Sequence, residues 1–274
     1  MMFSLFLTLI GASILAICLL TLLVWLICLM TNDASVIDLF WGLSFAMIAL
    51  LSVYLISQTQ PFTPYLILLT ALPVIWAIRY TLYIWWRNIG HGEDKRYTAM
   101  REEIPASQWP LYCLFRVYAF QALAMLIVAL PIILGLASGA AHDTKISVLA
   151  LIGACIWLIG FLFEAIGDFQ LAGFIKKRKK LGAEITGKVM DKGLWKYTRH
   201  PNYFGNATLW WGVYIVACDT PWGFLSIIGP LFMNYALVKI SGAAHLEQTL
   251  SKRPEYAQYM EKTSRFIPWF TKQV

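Results

Sequence analysis

The chain reads as an all-α, polytopic transmembrane bundle of about seven spans with a cytoplasmic C-terminus, and three observations carry that reading. Polar and Pro/Gly punctuation cuts the 274 residues into apolar stretches of roughly the 20 residues that a membrane helix requires. Only 14% of residues are charged against 59% hydrophobic, with a mean hydropathy of +0.64, which is too apolar for an ordinary soluble domain. Lysine and arginine, finally, collect on alternate loops, as expected of a multi-pass protein whose basic loops stay in the cytoplasm.

Taken in order, spans are expected over approximately 3–30, 35–57, 64–88, 110–136, 146–175, 203–218 and 221–244. The first lacks the basic flank and small-residue cleavage site of a secretory signal, and its length suits a retained helix. The sixth is the shortest. Asp219-Thr220-Pro221 separates it from the seventh, so the two also read as one broken helix or a re-entrant pair. On the seven-span arrangement the N-terminus and loops 58–63 and 137–145 share one side, where Lys145 is the single basic residue. The other side holds Lys95, Arg96 and Arg101, nine basic residues from Lys176 to Arg199, and five more from Lys252 to Lys272. That asymmetry assigns the net charge of +7 to membrane orientation and not to nucleic-acid binding. One membrane domain is expected over 1–274, surrounded by the lipid bilayer (the inner membrane in a bacterium), with 150–270 carrying most of the polar motifs. Cys18, Cys28, Cys113, Cys155 and Cys218 all lie in apolar runs with no C-x-x-C pair, which points to packing and against disulfides or a zinc site.

Ionisable residues at membrane depth need a reason, because a charge there costs about 2.5–3.5 kcal/mol even on insertion scales. Asp38 opens span two, where it reads either as a functional carboxyl or as a helix N-cap. Arg79, Tyr83 and Arg87, spaced i, i+4 and i+8, form one stripe down span three. That stripe leads into a glycine-punctuated charged loop from Asn88 to Tyr97, suited to folding over a ligand, although a snorkelling helix end would look the same. Glu164 and Asp168 share a face of span five, where they either pair with Arg79 or Arg116 or accept hydrogen bonds from a polar ligand. The run Lys176 to Lys180 reads as a surface anchor for anionic lipid.

The densest polar block runs from Lys188 to Asn206, where Arg199, His200, Pro201, Asn202, Tyr203 and Gly205 lead into an apolar run. Proline suits a helix start, and the free N–H groups and positive dipole end there favour an anion. With its G-L-W-x-Y lead, Ser241-Gly242, Glu247 and the Y-A-Q-Y…F-I-P-W tail from Tyr256 to Trp269, this block resembles the uncharacterised, DUF1295-like bacterial branch of the steroid 5-alpha-reductase superfamily. The resemblance covers most of the chain, from Asp38 to Trp269. The R-H-P-x-Y-x-G and E-x-x-L…Y-x-x-Y motifs are shared with isoprenylcysteine carboxyl methyltransferases.

The resemblance implies NADPH as cofactor, held by helices and loops, since no G-x-G-x-x-G is present. Carried over residue by residue, it assigns the nucleotide to Arg79, Glu164, Asp168, Lys176, Lys188 and Asn202, while Arg87, Arg199, His200 and Glu247 complete the candidate cofactor set. Glu164 replaces an amide of the family pattern, Lys188 an arginine, and Asn206 stands where many relatives carry an acid. The implied chemistry is hydride transfer to an activated carbon–carbon double bond of a lipid or steroid-like small molecule. Such a reaction needs a donor for the negative charge developing on the conjugated carbonyl. Asp38 and Tyr83 are the nearest catalytic candidates, with Tyr203 as a third, and no motif fixes the choice. The competing enzyme reading is methyl transfer from S-adenosylmethionine, a cofactor without phosphate that needs fewer cations. A non-catalytic membrane protein is the third reading.

Overall fold

A computed structural model describes residues 2–142, 145–181, 188–240, 247 and 250–272, and the regular elements among them are all helical. Water is absent from a bilayer core, so each backbone N–H and C=O must be satisfied within its own segment, which a helix does. In chain order the helices are α1 (Met2–Thr31), α2 (Val36–Ser57), α3 (Pro64–Asn88), α4 (Lys95–Glu102), α5 (Trp109–Ala140), α6 (Val148–Leu181), α7 (Pro201–Ala217), α8 (Gly223–Ile240) and α9 (Pro254–Lys262). Six of these, α1, α2, α3, α5, α6 and α8, are long and apolar enough to cross a membrane, which makes the chain an integral, multi-pass membrane protein.

The stretch expected as a sixth span at 203–218 folds as α7, whose 17 residues rise roughly 26 Å, short of the ~30 Å hydrocarbon core. Thr220 and Asp219 close it in a turn, donating their amides to the Ala217 and Val216 carbonyls at 3.1 Å. The last span is composite: a 3₁₀ turn at Gly223–Ile227, an α stretch at Ile228–Tyr235 and a π segment at Ala236–Ile240. A second π segment, Cys113–Ala119, interrupts α5.

Local signals set the helix ends. Thr63 Oγ1 accepts from Leu66 N at 3.2 Å, with Pro64 in the first turn, to start α3. Asp94 caps α4 by accepting from Arg96 N at 2.9 Å. Asn32, at φ 55°, ends α1 in the left-handed conformation that asparagine tolerates.

The chain divides into two compact units, Met1–Leu151 with Val213–Gly229, and Ile152–Gly212 with Pro230–Val274. In the first, α2 packs on α3 around the buried, edge-to-face rings of Phe45 and Trp76, 5.8 Å apart. Trp25 Nε1 on α1 donates to the Pro110 carbonyl of α5 at 3.0 Å, and one turn further on the Cys28 and Cys113 sulfurs stand 4.0 Å apart. An apolar crevice of about 250 Å³, lined by Leu50, Val53, Phe62, Ile67, Thr70, Ala71 and Val74, contains none of the candidate residues. In the second unit α6 and α7 pack through glycines, and that contact builds the site.

Candidate functional site

Gly153, Gly160 and Gly167 recur every seventh residue on α6, as do Gly205 and Gly212 on α7. A Cβ on Gly160 would lie 2.4 Å from Leu209 N, one on Gly205 2.3 Å from Glu164 N, and one on Gly212 2.5 Å from Trp157 N. The two helices therefore touch backbone to backbone, the close packing that holds helices together where lipid removes the hydrophobic drive. Polar groups beside the glycines are thereby brought into register. Asn202 Nδ2 donates to Asp168 Oδ1 at 3.1 Å, and Asn206 Nδ2 to Glu164 Oε2 at 3.2 Å. Glu164, Asp168 and Asn206 are buried, and Asn206 Oδ1 has no hydrogen-bond partner among the described residues. Glu164 and Asn206 thus meet each other across the contact between α6 and α7.

Just ahead of α7 the backbone turns at Gly193, whose φ of +62° and 2.4 Å approach to Gln170 leave no room for a side chain. Gln170 Oε1 then accepts from Leu194 N at 3.0 Å, and Trp195 Nε1 donates to the Gly167 carbonyl at 3.0 Å. This seats Arg199 and His200 around a single carboxylate. Arg199 Nε lies 3.1 Å from Glu247 Oε1, His200 Nε2 3.0 Å from the same oxygen, and Arg265 Nε 3.1 Å from Oε2. Arg199 also donates to the Met260 carbonyl at 3.3 Å.

Burial lowers the His200 pKa despite the opposing pull of the Glu247 carboxylate, so the neutral ring donates from Nε2. Its other face stacks on Tyr203 at 5.3 Å and 4°. Burial, then the Glu247 charge, push the Tyr256 phenol up to about 12, so it stays protonated beside the cluster. Two guanidinium groups against one carboxylate leave this cluster with a surplus positive charge.

In the first unit Asp38 is not the cap of α2. Ser35 occupies that position, and Asp38 lies inside the first turn. Its carboxylate accepts from Arg96 Nη2 at 3.0 Å and from the Tyr97 hydroxyl at 2.9 Å, and Tyr97 accepts in turn from Gln121 Nε2 at 3.1 Å. Burial, then the Asp38 charge, push the Tyr97 phenol well above its ordinary value. Burial works to raise Asp94, but hydrogen bonds from the Arg96 side chain and amide hold its carboxyl below the usual range. Tyr83 is sandwiched elsewhere on α3, with Arg79 and Arg87 at 5.4 and 5.9 Å from its ring. The phenol on Asp38 is therefore Tyr97, not Tyr83.

Arg199, expected to stand outside the helix and fork a phosphate, is buried with its guanidinium committed to Glu247 and Met260. Lys176 and Lys188 are exposed and make no ion pair among the described residues, so neither joins the Glu247 cluster. Ser241-Gly242 lie outside the described residues. Arg265, Arg96 and Tyr97 were not singled out for these contacts, and nothing local marks them. The seven-residue glycine spacing, by contrast, is legible in the sequence.

The chain is 24% identical over 222 residues to "Uncharacterized protein C594.04c" of Schizosaccharomyces pombe, covering 74% of this chain and 63% of that protein's length. No solved structure matches it. Residues 24–263 match the family described as "Protein of unknown function (DUF1295)", and a match over most of its length makes the chain a member of that family.

Proposed function

We propose that the protein is a membrane NADPH-dependent reductase of the steroid 5-alpha-reductase superfamily, acting on an activated carbon–carbon double bond of a lipophilic substrate. One observation carries the reading. At the start of α7 a cation-rich cluster, Arg199 and Arg265 around Glu247, adjoins two carboxyl–amide contacts, the part-buried Asp168–Asn202 and the buried Glu164–Asn206. Surplus positive charge suits a phosphate-bearing ligand, and the exposed edge belongs to Arg265, whose side chain is 41% accessible. Asn206 Oδ1, buried and without a partner among the described residues, suits an amide donor such as a carboxamide.

NADPH would supply the hydride. The chain's own part is to bind and orient it through Asp168, Asn202, Asn206 and Arg265.

A second reading rests on a specific contact. His200 and Glu247, which carry the motifs shared with the methyltransferases, bond directly to each other at 3.0 Å. Thermal unfolding of the detergent-solubilised full chain separates the two. NADPH near 100 times its dissociation constant should add about 2.7 kcal/mol, NADH less at equal concentration, and Asn202→Ala should abolish the shift while leaving the unliganded melting temperature close to wild type. A shift with S-adenosylmethionine and none with either nucleotide hands the case to methyl transfer. The same reading places the basic loops in the cytoplasm, so reporter fusions after Lys180 and after Trp269 should both report that side.

A further inference from the structure

Residues 264–272 form a tail pinned along its backbone. Arg199 N donates to the Ser264 carbonyl at 2.9 Å, Thr198 Oγ1 to the Phe266 carbonyl at 2.9 Å, Trp269 N to the Tyr197 carbonyl at 2.9 Å, and Lys272 N to the Lys262 carbonyl at 3.0 Å. A segment held this firmly would ordinarily turn its apolar side chains inward. Here they point out, with Ile267 65%, Trp269 69% and Phe270 79% exposed, beside Tyr197 at 39%.

Exposed leucines on membrane-crossing helices meet lipid chains, but this patch lies outside all six of those helices. Exposed Lys262 and Lys272 flank it in the chain, exposed Lys196 precedes Tyr197, and no acidic residue occurs from Lys262 to Lys272. Tryptophan and phenylalanine within a basic fringe are the composition of a segment that lies at the boundary between headgroups and acyl chains. A polar or acidic protein partner would leave the rings unmatched. A bilayer carrying anionic headgroups matches both rings and charges.

We propose that the segment Phe266–Phe270 docks on the surface of the bilayer, with its aromatic rings below the headgroups and Lys196, Lys262 and Lys272 on anionic lipid. The tail shares backbone bonds with Thr198 and Arg199, so this contact also steadies the cluster around Glu247. The docking does not depend on which cofactor the protein uses.

The test uses the full chain in phosphatidylcholine vesicles, with or without added phosphatidylglycerol, containing a phospholipid that bears a diazirine near its acyl carbonyl. Trypsin cleaves after Arg265 and Lys272, so Phe266–Lys272 is recovered as one peptide whose lipid adducts are counted by mass. Adducts are expected in both lipids and should rise with the anionic component. Trp269→Ser with Phe270→Ser should remove them while adducts on α1 peptides persist, which reports intact insertion. Lys196→Gln with Lys262→Gln should lower only the anionic increment, by about fivefold per charge. An unlabelled tail peptide beside labelled helix peptides overturns the proposal. So does a photoreactive residue at position 270 that captures protein, not lipid, in native membranes.

Discussion

Each compact unit encloses a carboxylate in a clamp, and the two clamps differ in depth and in charge. Asp38 meets Arg96 and Tyr97 with 19% of its side chain accessible, whereas Glu247 meets Arg199, His200 and Arg265 with 8% accessible. Around Asp38 the charges balance, Arg96 serving both Asp38 and Asp94 with Arg87 nearby. Around Glu247 two guanidinium groups face one carboxylate. The Glu247 clamp is a structural knot, because its members come from three separate stretches of chain.

The comparison breaks most visibly at Glu247. Glu247→Ala leaves the buried Arg199 guanidinium uncompensated and should cost about 3–5 kcal/mol in detergent unfolding, with loss of the folded second unit. Next comes the glycine contact. Gly160→Ala forces a Cβ against the backbone of Leu209 and should cost about 1–3 kcal/mol or more, because backbone cannot move aside as a side-chain tip can. Its control is Gly173→Ala on the same helix, where no atom lies within 4 Å and the change should be neutral or stabilising by up to about 1 kcal/mol. An equal loss from both would mean that flexibility, not contact, governs α6.

Asp38→Asn, in the more accessible clamp, should cost less than Glu247→Ala, about 1–3 kcal/mol. A loss equal to that of Glu247→Ala would erase the difference in depth between the clamps.

The smallest effect is on pH dependence, and it separates the clamps by window. The folded-state pKa of His200 lies below its unfolded value of about 6.5, so its contribution is whole above that pH and is lost as pH falls through the folded value. Asp94 is depressed as well, so its contribution has the same sign but begins to fall only below about 3.9. Melting temperature should therefore decline in two steps on acidification, and His200→Asn should abolish the upper step alone. A single step below about 4 in the wild type would place His200 in a more hydrated setting than its burial implies.

The same contrast bears on how far the sequence can be read. The lead G-L-W-x-Y, the R-H-P block and Glu247 stand out as a group, and they do converge, the lead turning at the positive φ of Gly193 and Glu247 meeting Arg199 and His200. Arg199 turns to a buried glutamate, and in sequence a basic residue beside a helix start looks the same whether it faces a ligand or such a partner. Tyr83 drew attention by its spacing to Arg79 and Arg87, and those cations do flank its ring. Tyr97, in a charged loop, carried no periodic signal.

What the sequence determines by itself is the helices, their membrane class and the alternation of basic loops, because hydropathy and backbone satisfaction act over whole segments and tolerate single-residue variation. Which polar groups meet was decided by tertiary structure alone. Arg96 and Tyr97 reach Asp38 across 58 and 59 residues, and Asn206 reaches Glu164 across 42, through contacts near 3 Å. A hydrogen bond is lost with an ångström of displacement, and for Asn206 and Glu164 that precision comes from glycine-to-backbone packing. Composition carries no trace of it.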